Sequence, residues 1–160
     1  MKRLHYCKDI LLQEYLENRI QKNIIKTKED LARRVYDVSK KPHGLWYSIN
    51  DEWKQWCIDN NWRTDHLEKC YELEIDKDLI LSVSMDELND VVSAYTAKGI
   101  LGYQPNWEEI SEYYSGFEIL DFNHLKTCTE KELAWAYGWD VSSGCIWDVD
   151  AIKSVEVVYE

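Results

Sequence analysis

Apolar residues recur at helical steps early in the chain and at alternating positions later, so helices are expected mainly in the first part and strands in the second. Arg3 to Cys7 reads as a short opening strand with His5 in its middle. Asp9 stands as the N-cap of a helix running to about Lys26, with Leu12, Leu16, Ile20 and Ile24 along one face and Leu11 and Tyr15 beside them. Thr27 caps a second helical segment through Tyr36, with Asp30 completing an imperfect capping box. Pro42 fixes its own φ and pushes Lys41 out of the helical region, so that segment must end here. Gly44 then permits a turn or a close backbone approach, and Leu45 to Ile49 is an aromatic and apolar run suited to a strand. Strand alternation puts Trp46 and Ser48 on one face and Leu45 and Tyr47 on the other.

Beyond that strand, Asn50 or Asp51 caps a helix whose Trp53, Trp56 and Cys57 share a face. Cys70 to Ile75 alternates as a half-exposed strand, Asp76 to Asp78 turns, and Leu79 to Val83 is a more buried strand. Ser84 and Glu87 have capping-box spacing before a helix ending near Tyr95. Lys98 to Pro105 reads as a loop, Asn106 as the cap of a helix through Tyr114, and Gly116 to Phe122 as a strand. Thr129 and Glu132 repeat the capping-box spacing ahead of a helix ending at Tyr137 and Gly138. Gly144 to Trp147 and Ser154 to Tyr159 are strands, separated by a turn over Asp148 to Ile152. Without regular β-α-β alternation, the expected class is α+β. We expect one domain over residues 1–160, a mixed or antiparallel sheet with helices packed against it.

Charge narrows the partners. Nineteen basic against 30 acidic residues give a formal charge of −11, which opposes non-specific binding to nucleic acid or anionic membrane. It leaves open a small anion in a local basic pocket, or an acidic face that engages a basic protein. The five scattered cysteines form no C-x-x-C pair and no signal peptide is recognisable, so reduced thiols and a cytoplasmic location are expected. No window approaches a membrane span. Eight Trp and eleven Tyr against two Phe supply amphipathic rings that suit a pocket lining as well as a core.

The motifs of familiar chemistry are missing. Four histidines lie tens of residues apart with no metal-ligand spacing, and six glycines yield neither a dinucleotide fingerprint nor a phosphate loop. A Cys-His nucleophile pair has no local signature, although such partners meet in space. Trp46 and Ser48, a flat ring and a hydroxyl one strand step apart, suit a planar heterocycle; the plainer reading is a core tryptophan beside a turn serine. Glu118, mid-strand, is expected on an exposed face, and Asp148 is expected to cap its turn. Lys28, Arg33 and Arg34 read as the solvated side of a helix, or as a place for a pyrophosphate.

Four stretches together resemble the ADP-ribosyltransferase fold, the group that includes poly(ADP-ribose) polymerases and many bacterial toxins. Leu4-His5-Tyr6-Cys7 looks like that family's first strand, and Gly44-Leu45-Trp46-Tyr47-Ser48 is similar to its Gly-Ile/Leu-Tyr-Phe-Ser/Ala strand. Near the C-terminus, Tyr114 to Ile119 and Ser143 to Ile152 resemble two successive strands of toxin-like members. The resemblance implies an ADP-ribosyltransferase-like sheet around a cleft that takes NAD as substrate. It gives His5 the adenosine ribose, Trp46 the nicotinamide ring and Ser48 the small position beside it, on a strand opened by Gly44. Cleavage of the N-glycosidic bond passes through an oxocarbenium-like centre, which an adjacent acid stabilises. Two positions depart from the pattern: Ser143 stands where the family has its glutamate, and Tyr6 where a glycine commonly follows the histidine. Asp140, just ahead of that strand, is the nearest replacement acid. ADP-ribose would then pass to an acceptor, expected to be a protein. The rival reading is a non-catalytic acidic protein that binds and inhibits a basic partner, favoured by the missing glutamate and the charge.

Overall fold

Short strands, the central ones buried on both faces, build the molecule around one sheet. The computed structural model describes residues 1–11, 14–20, 41–99 and 102–159. The end of the first expected helix at Lys26, the helix from Thr27 to Tyr36 and the basic residues Lys28, Arg33 and Arg34 lie outside the described residues.

Seven strands form the sheet: β1 (Arg3–Cys7), β2 (Leu45–Ile49), β3 (Lys69–Ile75), β4 (Ile80–Val83), β7 (Gly116–Ile119), β8 (Ser143–Ile146) and β9 (Ile152–Tyr159). Their order is β4-β7-β8-β2-β1-β3-β9, antiparallel throughout except for the parallel pair β4–β7. A parallel pair needs a crossover. It is made here by α3 (Leu88–Ala94), the hairpin β5 (Thr96–Gly99) and β6 (Gly102–Pro105), and α4 (Trp107–Tyr113). Residues 14–20 are helical (α1), and α2 (Glu52–Asp59) and α5 (His124–Thr129) complete the regular helices among the described residues.

Local chemistry explains most boundaries. Ser84 and Glu87 form the expected capping box, the Glu87 carboxylate accepting from both the backbone N–H and the hydroxyl of Ser84 at 3.0 and 2.9 Å. Asn106 caps α4 by accepting from the Glu109 N–H at 3.2 Å. Three expectations need correction. Of the loop expected over Lys98 to Pro105, the described residues are strands instead, because the backbone of Gly102–Pro105 pairs with that of Thr96–Gly99. Thr129 does not open a helix: its hydroxyl bonds back to the Leu125 carbonyl at 2.9 Å and it ends α5, which Asn123 caps. The short helix expected ahead of Tyr137 is present as a 3-10 helix over Lys131–Ala136, entered from Glu130. The first helix begins after residue 11 rather than at Asp9, with Leu16 and Ile20 buried on its inner face as their spacing requires.

Strand alternation sorts the core into two large clusters and a small one of Leu4, Tyr6 and Cys70. Leu45, Tyr47, Ile49 and Ile146 join Leu16, Ile20, Leu73 and Ile75 on one side. Phe117, Ile119 and Cys145 join Trp107, Trp135, Trp139 and Trp147 in a tryptophan-rich cluster on the other, with Trp46 packed against it. Glu118 overturns the expectation of an exposed strand face, because it is fully buried. Its carboxylate accepts from Arg3 Nε and Nη2 at 2.9 and 2.8 Å, from the Tyr47 hydroxyl at 2.8 Å and from the Ser82 hydroxyl at 2.6 Å. Burial alone would raise the Glu118 pKa, but the bonds from Arg3, Ser82 and Tyr47 outweigh it and hold the carboxyl below its usual range. Gly144 stands between Tyr47 and Glu118 in register, and a Cβ there would sit 2.4 Å from the Tyr47 hydroxyl. Only a glycine lets that hydroxyl cross β8 to reach the carboxylate.

Candidate functional site

β1 and β2 are paired at only two positions, Arg3 with Ile49 and Leu4 with Ser48. Past these the strands part, and a cavity of about 320 Å³ lies at the split. By alternation His5 belongs to the other face from Leu4, yet the opening between the strands lets it share the cavity with Trp46. The Trp46 carbonyl accepts from the His5 ring, with Nδ1 at 2.6 Å. Since a carbonyl only accepts, Nδ1 carries the proton. Burial lowers the pKa of His5 to about 4, so the ring is neutral near pH 7 and Nε2 is a bare acceptor. That Nε2 is buried and has no hydrogen-bond partner among the described residues.

All five residues singled out by the resemblance, His5, Gly44, Trp46, Ser48 and Asp140, line this one cavity. Gly44 is there through close approach rather than a turn: a Cβ on it would lie 2.2 Å from the Ile146 carbonyl oxygen on β8. Trp46 is half-buried, braced by Trp139 at 5.0 Å with the rings 68° apart. Asp140 directly follows Trp139, so the bracing ring fixes where this carboxylate enters. Ser48 is buried and donates to the Asn50 carbonyl at 2.8 Å. Its partner across β2–β8 is Ser143, whose hydroxyl donates to the Val141 carbonyl at 3.0 Å. Ser48 and Ser143 are thus paired across the two strands, each bonded to local backbone.

Four further residues in the lining escaped sequence reasoning: Arg19, Lys41, Arg63 and His66. They come from three separated segments, Arg63 and His66 sharing one turn, so no local pattern could have joined all four. Arg63 has a left-handed backbone, φ 42°, at the entry to a 3-10 turn over Thr64–Leu67, and its guanidinium donates to His66 Nε2 at 2.8 Å. Lys41 Nζ lies 3.9 Å from Asp140 Oδ2 and 5.4 Å from the centre of the Trp46 ring. Burial pushes the Lys41 pKa down while Asp140 draws it back up. Among the described residues Asp140 is the one carboxylate in the lining, which also holds Arg19, Lys41 and Arg63. In a chain of formal charge −11 the cavity is thus locally basic.

Other carboxylates nearby serve the backbone. Glu52 accepts from the Ser142 N–H at 2.9 Å, and Asp148 caps its 3-10 turn by accepting from the Asp150 N–H at 3.0 Å, as expected of it. All five thiols are free, and one cysteine–histidine pair does meet in space: Cys128 Sγ lies 3.6 Å from His124 Nδ1 on the exposed side of α5. No group of three potential metal ligands and no helix long and apolar enough to cross a membrane occurs among the described residues. No family model, curated protein or solved structure matches this chain.

Proposed function

We propose that this protein is ADP-ribosyltransferase-like, binding NAD in the cleft between β1 and β2 and cleaving the bond between nicotinamide and ribose, with ADP-ribose passed to an acceptor, most simply a protein side chain. The observation that carries this reading is His5: a buried, neutral imidazole beside the cavity, its Nδ1 spent on Trp46 and its Nε2 left as an acceptor without a partner. A ribose hydroxyl is the donor such an atom lacks. Trp46 offers a ring face for nicotinamide, where stacking contributes about 1–3 kcal/mol by analogy with base–aromatic contacts. Ser48 and Gly44 keep that wall thin. Arg19 and Arg63 supply positive charge for a pyrophosphate. Asp140 is the carboxylate available to stabilise positive charge developing on the ribose.

The test is release of nicotinamide, and transfer of label from labelled NAD, by the purified protein with a cell lysate as the source of acceptors. Asp140→Asn should leave folding and NAD binding nearly intact while lowering cleavage by at least ~100-fold, as expected for loss of one electrostatic stabiliser. An equally active Asp140→Asn variant would keep the enzyme and remove this residue from its mechanism. A second reading, an acidic protein that binds and blocks a basic partner, is favoured by Ser143 at the glutamate position and by the formal charge of −11. Wild-type protein inert toward NAD, whatever acceptor is offered, would move the preference to this second class.

A further inference from the structure

The lysine just ahead of Pro42 lines the cavity, and its ammonium lies near two groups that attract a cation. Its Nζ stands over the Trp46 ring at 5.4 Å and beside Asp140 Oδ2 at 3.9 Å. An aromatic face next to a carboxylate is a site for a cation, and its occupant here is the chain's own side chain. The proposed ligand also brings a cation to this place, because the nicotinamide ring of NAD is a pyridinium. Two positive charges cannot share one ring face and one carboxylate. The lysine side chain is about one-third exposed, 37%, and its flexible four-carbon stem lets the ammonium exchange into water.

We propose that Lys41 is a resident competitor for the ring subsite, a specificity-determining residue that must vacate the Trp46 face before a cationic heterocycle stacks there. The inference rests on the NAD reading above and adds to it a cation-for-cation exchange. Ligands that carry the pyridinium recover the ion pair and the cation–π contact that Lys41 gives up. Ligands lacking the ring have no need to displace it, so Lys41 weakens binding of NAD and leaves binding of ADP-ribose untouched.

Titration calorimetry with NAD and with ADP-ribose separates these terms. Lys41→Met keeps an unbranched apolar stem and removes the charge. It should bind NAD about threefold to tenfold more tightly than wild type, the size of a partly exposed cation–π contact and ion pair, with ADP-ribose affinity unchanged. Lys41→Gln, neutral but polar, should show the same gain if the methionine disturbs packing. Unchanged NAD affinity in both variants overturns the inference. Weaker binding of both ligands also overturns it, by making Lys41 a phosphate contact. Binding of neither ligand by wild type or variant overturns the NAD reading, and this inference with it.

Discussion

His5 concentrates the chemistry of the site in one imidazole. A histidine buried among apolar strands loses the hydration of its charged form, which drives its pKa from 6.5 to about 4. The unfolded chain therefore binds more protons than the folded one between those values, and stability must fall as pH drops through that window. The contribution is fully present above pH 6.5, is lost progressively towards pH 4 and is level below it. From pH 7 to about pH 5 linkage gives a loss of about 2 kcal/mol from this residue. Urea unfolding at the two pH values should show a drop for wild type that is larger by that amount than for His5→Gln, which has no proton to take up. Equal drops in the two proteins would mean that His5 is already solvated in the folded state.

At the scale of elements, Glu118 decides how the strands that frame the cleft are held. One carboxylate receives Arg3 from β1, Tyr47 from β2 and Ser82 from β4, while itself belonging to β7. Tyr47 lies between Trp46 and Ser48, so this network fixes the strand that carries both. Removing one partner of a buried pair strands the other charge, and Glu118→Gln should cost about 3–5 kcal/mol in chemical denaturation. Replacing Arg3 and Glu118 together by Met should cost less than that single change, because no charge is then left buried alone. A Glu118→Gln protein of wild-type stability would show that Arg3 finds another partner. Trp139 works similarly on the other face, holding the Trp46 ring edge-on and leading directly into Asp140.

For the molecule as a whole, the separation of charge matters more than its sum. An exterior dominated by acidic residues repels polyanions at long range, whereas Arg19, Lys41 and Arg63 outnumber Asp140 around the cavity. A small anion thus gains over a large one: it fits inside the basic lining without meeting the acidic exterior across a broad surface. The affinity for ADP-ribose should fall several-fold between about 0.05 and 0.5 M salt, as screening shortens the reach of Arg19 and Arg63, while Lys41 stays on its own partners. Salt-independent binding would place the ligand's phosphates away from this group.

Pattern and composition were enough to set the α+β class, nearly every strand and the caps at Ser84 and Asn106, because these depend on neighbours within a turn of the chain. His5, Gly44, Trp46 and Ser48 were singled out instead by the resemblance to a known family, and Asp140 by the family glutamate that this chain lacks. The meeting of those five around one cavity was decided by tertiary structure, since it depends on β1 and β2 parting after two registered pairs. The burial of Glu118 was hidden for the same reason. A glutamate in an alternating strand reads as exposed unless an arginine 115 residues away and a tyrosine across Gly144 are known to meet it. So was the place of Lys41, whose sequence context shows a helix stop at Pro42 and whose partners, Trp46 and Asp140, are supplied by two different strands' approaches to the cleft. Local sequence fixes which groups a segment can offer; long-range pairing determines which of them lose their water and find one another.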